Sequence, residues 1–463
     1  MSVFLTILSA IMLGQAFPKH NLFFLAWIAL VPFLYSIEKS RDARSAGKLG
    51  LLFGLVFFSI NLYWLNTLAI FIGSYAYTSW ISLCIFQTAF VIVFAYFSKK
   101  LHVNLTIWQA FLWIAIEYVR STGAFGLPCG VIAYSQSMLL PLIQISRFGT
   151  VYSISFIIIL TNIAIARFIV RKDYKLIIFS ILLIVLASGF GYYELNASQQ
   201  TVPRRVNLVG YSNSNIINIS IIQGNIPHEK QLDASHNEEI FNIHENLSLQ
   251  AKKDHPQIVI WPESTIYTYL LQDNYYLSKI KKLAKELDAY MIIGSPKYDE
   301  GKFYNSIIVF SPTGEIVGDY DKQHLVPFGE YFPLKPILSF FLKNINRFGI
   351  DFSVGPNHMP IKVANAKIGT LLCFESTFPG IVREKINEGS DFILVLTNDS
   401  WFKNSSAPYD HANYGIFRAI ENRTYFVQCA NTGISEVVDP FGHIIKKLDL
   451  NTSGILSFQM PLR

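Results

Sequence analysis

Charge is what this sequence has least of: Asp, Glu, Lys and Arg make up 15% of its 463 residues, against the roughly 25% of an ordinary soluble chain. With 51% hydrophobic residues and a mean hydropathy of +0.34, that scarcity excludes a wholly soluble protein. Cysteine is also sparse. Cys84, Cys129, Cys373 and Cys429 show no C-x-x-C spacing, which signals neither a zinc framework nor a disulfide scaffold. No metal centre is expected, because His411 in "SSAPYDHANYG" has no second His or Cys at ligand spacing and reads as a structural histidine. Gly-rich phosphate loops, repeats and nucleic-acid signatures are missing too. The net charge of +6 comes from short basic clusters, read as topology signals rather than as a nucleic-acid face.

What the chain does have is long apolar runs, nearly all in its first 193 residues. Seven spans are expected, at 3–17, 22–37, 49–68, 80–98, 104–120, 148–166 and 176–193, each near the ~20 residues that a bilayer requires. The first is expected to be a retained helix, since "MSV" offers no basic leader region. Lys39, Arg41, Arg44, Lys48, Lys99, Lys100, Arg167, Arg171, Lys172 and Lys175 fall in loops on one side, and only Lys19, Arg120 and Arg147 on the other. The positive-inside bias makes the first side cytoplasmic. An odd number of spans then puts everything after about residue 194 outside the cytoplasm. Glu117 and Arg120 lie three apart on one helical face, either as a structural ion pair or as a contact to a lipid head group. The segment "SINLYWLN" (59–66) reads as an aromatic belt with helix contacts.

Composition changes at "ELNASQQTVPRR". The chain is read as a transmembrane bundle over 1–193, a linker over 194–217 and a catalytic domain over 218–463. In the last region "INISIIQGNIP", "IVIWPES", "AYMIIGSP", "KIGTLLCFES", "DFILVLTND" and "YFVQCANTG" are short β-branched runs bounded by turn residues. "SPTGE" and "DPFGH" read as hairpin turns. Amphipathic helical patterns lie at 237–253, 278–288, 379–389 and 414–423. Strands interleaved with helices imply layered sheets covered by helices. Glu263, Lys322 and Cys373 each fall at the carboxyl end of a strand-like run, where α/β sheets place their chemistry.

These three residues carry a resemblance. "WPES" with Glu263, "YDKQHLVPFGEYFP" with Lys322 and "LLCFES" with Cys373 resemble the signature stretches of the nitrilase, or carbon-nitrogen hydrolase, superfamily. "QGNIP", "VPFGE" and "TNDSWF" are similar to its membrane-bound branch, the apolipoprotein N-acyltransferases. The resemblance implies an αββα sandwich on a polytopic helical bundle in a bacterial inner membrane, with the catalytic domain in the periplasm and no cofactor.

It further implies a Glu-Lys-Cys triad. Glu263 would take the thiol proton, Cys373 would attack the ester of a phospholipid such as phosphatidylethanolamine, and Lys322 would stabilise the oxyanion. The acyl-thioester would then pass its chain to the α-amino group of a diacylglyceryl-cysteine on an apolipoprotein. Glu330 and Glu375 resemble two further carboxylates that the family needs. One would orient Lys322 and the other would be protonated or hydrogen-bonded. Phe374 stands where the pattern has Tyr, and Leu232 where it has Trp, so the acyl-pocket lining is expected to differ. The family's closing span is not expected after "SFQMPLR", which would leave Arg463 in the periplasm. The apolar stretch 331–355 reads as an arm resting on the membrane, with Lys335, Lys343 and Arg347 near phosphates, in preference to a buried helix under the sheet. One chain contains every catalytic part, which suits a monomer. Two other functions fit the composition: a membrane-tethered amidase or nitrilase acting on a small amide with the same triad, and a non-catalytic envelope scaffold.

Overall fold

The computed structural model describes residues 1–201, 216–333, 351–356 and 359–462. The chain folds as two compact units. One is Met1–Val202 with Asn404–Arg423, and the other is Pro203–Lys403 with Thr424–Arg463.

The first unit is helical. Its main helices are α1 (Ser2–Gly14), α2 (Val31–Lys39), α3 (Ala43–Asn61), α4 (Tyr75–Lys100), α5 (Ile107–Ser121), α6 (Ser146–Arg171) and α7 (Lys175–Thr201). Every expected span coincides with helix, but not always with one continuous helix. The 22–37 segment breaks into a 3₁₀ turn, Phe23–Trp27, and the nine-residue α2 with proline in its first turn. Proline is tolerated there and not further in. At 1.5 Å per residue, α2 is too short to cross ~30 Å of hydrocarbon. The 49–68 segment begins six residues earlier than expected, because Asp42 caps α3 by accepting the Ser45 N–H at 2.7 Å. Among the described residues, four helices are long and apolar enough to cross a membrane: α3, α4, α6 and α7 over Lys175–Ala197.

Close packing and buried polar pairs hold this unit together. A Cβ on Gly50 would meet the Val91 carbonyl oxygen at 2.7 Å, so glycine is what lets α3 approach α4. The basic carboxyl ends of α4 and α6 converge on α2: Lys99 Nζ donates to the Glu38 carbonyl at 2.8 Å, and Arg171 Nη2 to its carboxylate at 2.9 Å. Glu117 and Arg120 form a structural pair, and the head-group alternative does not hold. Both are buried, 3.8 Å apart. Glu117 Oε1 accepts the Ile132 N–H at 2.9 Å, and Arg120 donates to the Cys129 carbonyl at 2.8 Å. The pair secures the 127–132 loop.

A late helix, α11 (Ala407–Asn422), also belongs to this unit. Its Arg418 is fully buried and pairs with Glu421 at 2.9 Å. Arg418 also donates to Tyr134 Oη at 3.1 Å, and Glu421 accepts the Val151 N–H at 3.0 Å. Breaking a buried pair from one side leaves an uncompensated charge. Arg418→Met is therefore expected to destabilise the helical unit by about 3–5 kcal/mol. Arg418→Met/Glu421→Gln should recover part of that loss, as read by thermal unfolding in detergent.

The second unit carries two six-stranded sheets. The strands are β1 (Ile216–Gln223), β2 (Ile258–Ile260), β3 (Tyr290–Asp299), β4 (Lys302–Phe310), β5 (Ile316–Asp321), β6 (Ile361–Val363), β7 (Ala366–Leu372), β8 (Phe392–Thr397), β9 (Tyr425–Ala430), β10 (Ser435–Val438), β11 (Ile444–Leu448) and β12 (Gly454–Pro461). Their orders are β12-β1-β2-β3-β4-β5 and β11-β10-β9-β8-β7-β6. Each sheet has a parallel centre, β1-β2-β3 or β7-β8-β9, flanked by antiparallel strands.

The inner faces form one apolar core, with Ile219, Ile221 and Ile260 from one sheet and Ile368, Leu394 and Val427 from the other. β8 is buried along its whole length, as a central parallel strand must be. Helices α8 (Asn237–Ala251) and α9 (Asn274–Leu287) cover the first sheet through Phe241, Ile280 and Leu283. Helix α10 (Pro379–Asn387) packs on β7 and β8. This is the expected nitrilase-like α/β architecture. The "SPTGE" and "DPFGH" turns lie between β4 and β5 and between β10 and β11, each with its glycine at positive φ.

Candidate active site

Three chain segments of the second unit bring the expected residues together. Glu263 lies three residues past β2, which ends before Pro262 because proline cannot donate to the ladder. Lys322 directly follows β5. Its backbone is pinned on both sides: its N–H donates to the Asn305 carbonyl at 2.8 Å, and its carbonyl accepts the Gly355 N–H at 2.9 Å. Cys373 opens a 3₁₀ turn, Cys373–Thr377, at the end of β7, with φ of +50°. A left-handed conformation costs a non-glycine residue on the order of 1–2 kcal/mol, so something must hold this turn.

Glu375 holds it. Fully buried, it accepts the Leu372 N–H at 2.7 Å on one oxygen and the N–H groups of Gln323 and His324 at 2.8 and 2.9 Å on the other. Tyr320 Oη lies 2.9 Å from both oxygens. One carboxylate thus ties the Cys373 turn to the residues just after Lys322. Glu330 has the other role. Its Oε1 accepts from Lys322 Nζ at 2.8 Å and from Asn305 Nδ2 at 2.9 Å, and its Oε2 accepts the Val326 N–H at 2.8 Å. Lys322 is therefore oriented by Glu330, while Glu263 Oε1 stands at 4.0 Å from the ammonium. Glu263 is fixed by Asn305 Nδ2 at 2.8 Å and by the Asn398 N–H at 2.9 Å.

The electrostatics follow from burial and these neighbours. Burial pushes the Cys373 thiol well above its ordinary range; the charges of Glu263 and Asp399 act the same way, and the Lys322 ammonium opposes them. Burial likewise raises Glu263, opposed by Lys322. For Lys322 burial works against the charge, but Glu330 and Glu263 outweigh it, so the group is held firmly protonated. A thiol that keeps its proton, a carboxylate with enhanced basicity and a fixed cation together allow concerted deprotonation and attack. A resting thiolate is not required.

Phe374 is half-buried, edge-on to Phe378 at 5.1 Å and 6.2 Å from the His324 ring. Leu232 is 44% exposed. Most of the expected membrane arm, including Lys335, Lys343 and Arg347, lies outside the described residues, as does Arg463. The carboxyl end of that stretch is held beside the site: the Phe352 N–H donates to the Glu330 carbonyl at 2.8 Å, and the Ser353 N–H to the Phe303 carbonyl at 2.7 Å.

Sequence reasoning missed four participants. Asn305 bridges two carboxylates from the middle of β4, and nothing in its strand-like surroundings marked it. Tyr320 sits two residues before Lys322 and looked like strand. Asn398 and Asp399 lie in "TNDSWF", a string that pointed to a family without giving either residue a role. An Asp399 carboxylate oxygen lies within 4.8 Å of Cys373 Sγ.

The chain is similar to known proteins over nearly its whole length. The carbon-nitrogen hydrolase family model matches residues 218–463. The model of the apolipoprotein N-acyltransferase N-terminal domain matches residues 9–164. Apolipoprotein N-acyltransferases similar to this chain include that of Geobacter metallireducens, 34% identical over 99% of this chain and 89% of the relative. That of Rickettsia prowazekii is 30% identical over 99% and 90%, and that of Chlorobaculum tepidum 27% identical over 99% and 90%.

Apolar helices of spanning length joined to a carbon-nitrogen hydrolase domain define a membrane-associated acyltransferase. More particularly, the chain belongs to the apolipoprotein N-acyltransferase family. Its activity is acyl transfer in lipoprotein maturation, and its substrates are lipids.

Proposed function

We propose that Cys373, Glu263 and Lys322 carry acyl transfer from a phospholipid to the N-terminal diacylglyceryl-cysteine of an apolipoprotein, through a thioester on Cys373. What supports this reading is the placement of Glu263 and Lys322, 4.0 Å apart, beside the half-buried Cys373, whose thiol feels the charge of both. Glu263 takes the thiol proton as Sγ attacks the ester carbonyl, and Lys322 faces the oxyanion that develops. The carbon–oxygen bond breaks, and the proton passes from Glu263 to the departing lysophospholipid. In the second half the acceptor amine attacks the thioester. The carbon–sulfur bond breaks, and Glu263 relays the amine proton to the sulfur. Glu330 orients Lys322, Glu375 holds the nucleophile turn, and Phe374 lines the acyl entrance. Water must be kept out while the thioester stands.

The reading extends to location. A helical bundle that ends with α7 at Thr201 and crosses the membrane an odd number of times, followed by a catalytic domain over 218–463, would place the chemistry in the periplasm of a bacterial inner membrane. The convergence of the basic ends of α4 and α6 on α2 supports a single basic end of the bundle. Phosphatidylethanolamine is the proposed donor and a single chain the proposed working unit. The test is incubation of the purified full chain with phosphatidylethanolamine, with and without a diacylated lipopeptide. Acyl transfer to the lipopeptide amine is expected. Rapid hydrolysis of small amides without transfer would favour an amidase instead.

A further inference from the structure

A second buried lysine stands behind the site. Lys385, on α10, is 1% exposed. Gly369 on β7 makes room for its stem: a Cβ there would meet Lys385 Cβ at 3.1 Å and Ser390 Oγ at 2.6 Å. The ammonium lies 4.6 Å from the centre of the Tyr320 ring. The hydroxyl of that ring is the one 2.9 Å from both Glu375 oxygens. A cation on an aromatic face is attracted by the ring quadrupole, worth up to about 2 kcal/mol when desolvated. It also draws charge from the phenol and strengthens the O–H as a donor.

Charge counting shows why this matters. Glu263, Glu330 and Glu375 are all buried or nearly so around Lys322, and Asp399 adds a fourth acid. One ammonium leaves this cluster strongly negative, and buried like charges drive protons onto one another. Glu375 can least tolerate a proton. All the donors it meets, Tyr320 Oη and the N–H groups of Leu372, Gln323 and His324, point at its oxygens. A carboxylic O–H would find an acceptor only at Tyr320 Oη, which would have to turn its own proton away, and the neutral group would hold the three backbone N–H donors that tie the Cys373 turn to the Lys322 segment more weakly.

We propose that Lys385 is a positioning residue: its buried ammonium on the Tyr320 ring is the counter-charge that keeps Glu375 a four-donor clamp on the nucleophile turn. The inference rests on the reading of Cys373 as nucleophile. Burial alone pushes Glu375 upward, with Lys322 opposing. Lys385 is pulled down by burial and supported by Glu375, Glu388 and Glu384. The other charged groups facing this chain are Asp321, next to Tyr320, and Lys297, paired with Asp321 at 2.7 Å.

The test is the pH dependence of acyl-adduct formation on the full chain in phosphatidylethanolamine micelles, for wild type, Lys385→Met and Lys385→Arg. The Met variant is expected to move the acid limb up by about one to two pH units and to recover most of the rate at high pH. The Arg variant should restore the wild-type profile. Glu375→Gln should lower the rate by the same factor at all pH values, leaving the Glu263 limb where wild type has it, and adding Lys385→Met to it should shift nothing further. A Met profile parallel to wild type, or a loss that high pH does not restore, would overturn the proposal. If Lys385→Met does not fold, the Arg and Glu375→Gln profiles decide: an Arg profile unlike wild type, or an acid limb displaced by Glu375→Gln alone, overturns it. If wild type itself forms no adduct, the nucleophile assignment fails instead, which is a separate result.

Discussion

Glu263→Gln is expected to slow formation of the acyl-enzyme by about 10²–10⁴-fold, the usual contribution of a positioned general base. The Cys373 thiol is held protonated by burial and by neighbouring carboxylates, so little thiolate is available without a base. The acid limb of the wild-type rate should fall above the ordinary glutamate value of about 4.3, because burial raises Glu263. That limb should vanish in the Gln variant. The same shift bears on stability. A carboxyl whose folded value lies above its unfolded value binds its proton more tightly when native. Its contribution to stability is therefore intact below about pH 4.3 and lost as pH rises through the folded value. Wild type should lose stability across that window and Glu263→Gln should not, as followed by thermal unfolding in detergent between about pH 4 and 8.

Lys322→Met is expected to lower acylation by about 10²–10³-fold, the effect of removing an oxyanion donor. It should also destabilise the second unit by about 3–5 kcal/mol, since Glu330 at 2.8 Å and Glu263 at 4.0 Å lose their cation. The Lys322 value is raised, so its stabilising contribution is fully present at neutral pH and disappears only as pH rises above the ordinary lysine range. Lys322→Met/Glu330→Gln should regain part of the stability, because one stranded carboxylate becomes neutral. It should regain none of the rate. Separating the two readouts distinguishes a cation needed at the reacting carbonyl from one needed only to neutralise acids.

The candidate trio was legible because each residue closes a short β-branched run and stands in a distinctive local string. Glu330 and Glu375 were legible from the same strings, but their division of labour was not. Only the three-dimensional arrangement shows that Glu330 contacts Lys322 while Glu375 is saturated by Tyr320 and backbone N–H groups. Asn305 was invisible because a polar residue at mid-strand looks the same whether it faces solvent or two buried acids. The break within 22–37 was foreshadowed by Pro32, yet mean hydropathy over that stretch is blind to it. Helix α11 gave an ordinary amphipathic pattern from residue 414. Its earlier start at Ala407, and its membership of the helical unit through Arg418 and Glu421, follow from long-range contacts with Tyr134 and Val151. A local pattern cannot encode such contacts.

Mass spectrometry of the intact chain after incubation with phosphatidylethanolamine tests the central claim most directly. The expected result is a mass increase of one fatty acyl group, removed by hydroxylamine as a thioester should be and missing in Cys373→Ser. An acyl adduct that persists in Cys373→Ser, or acyl transfer that continues undiminished in that variant, would contradict a thioester on Cys373.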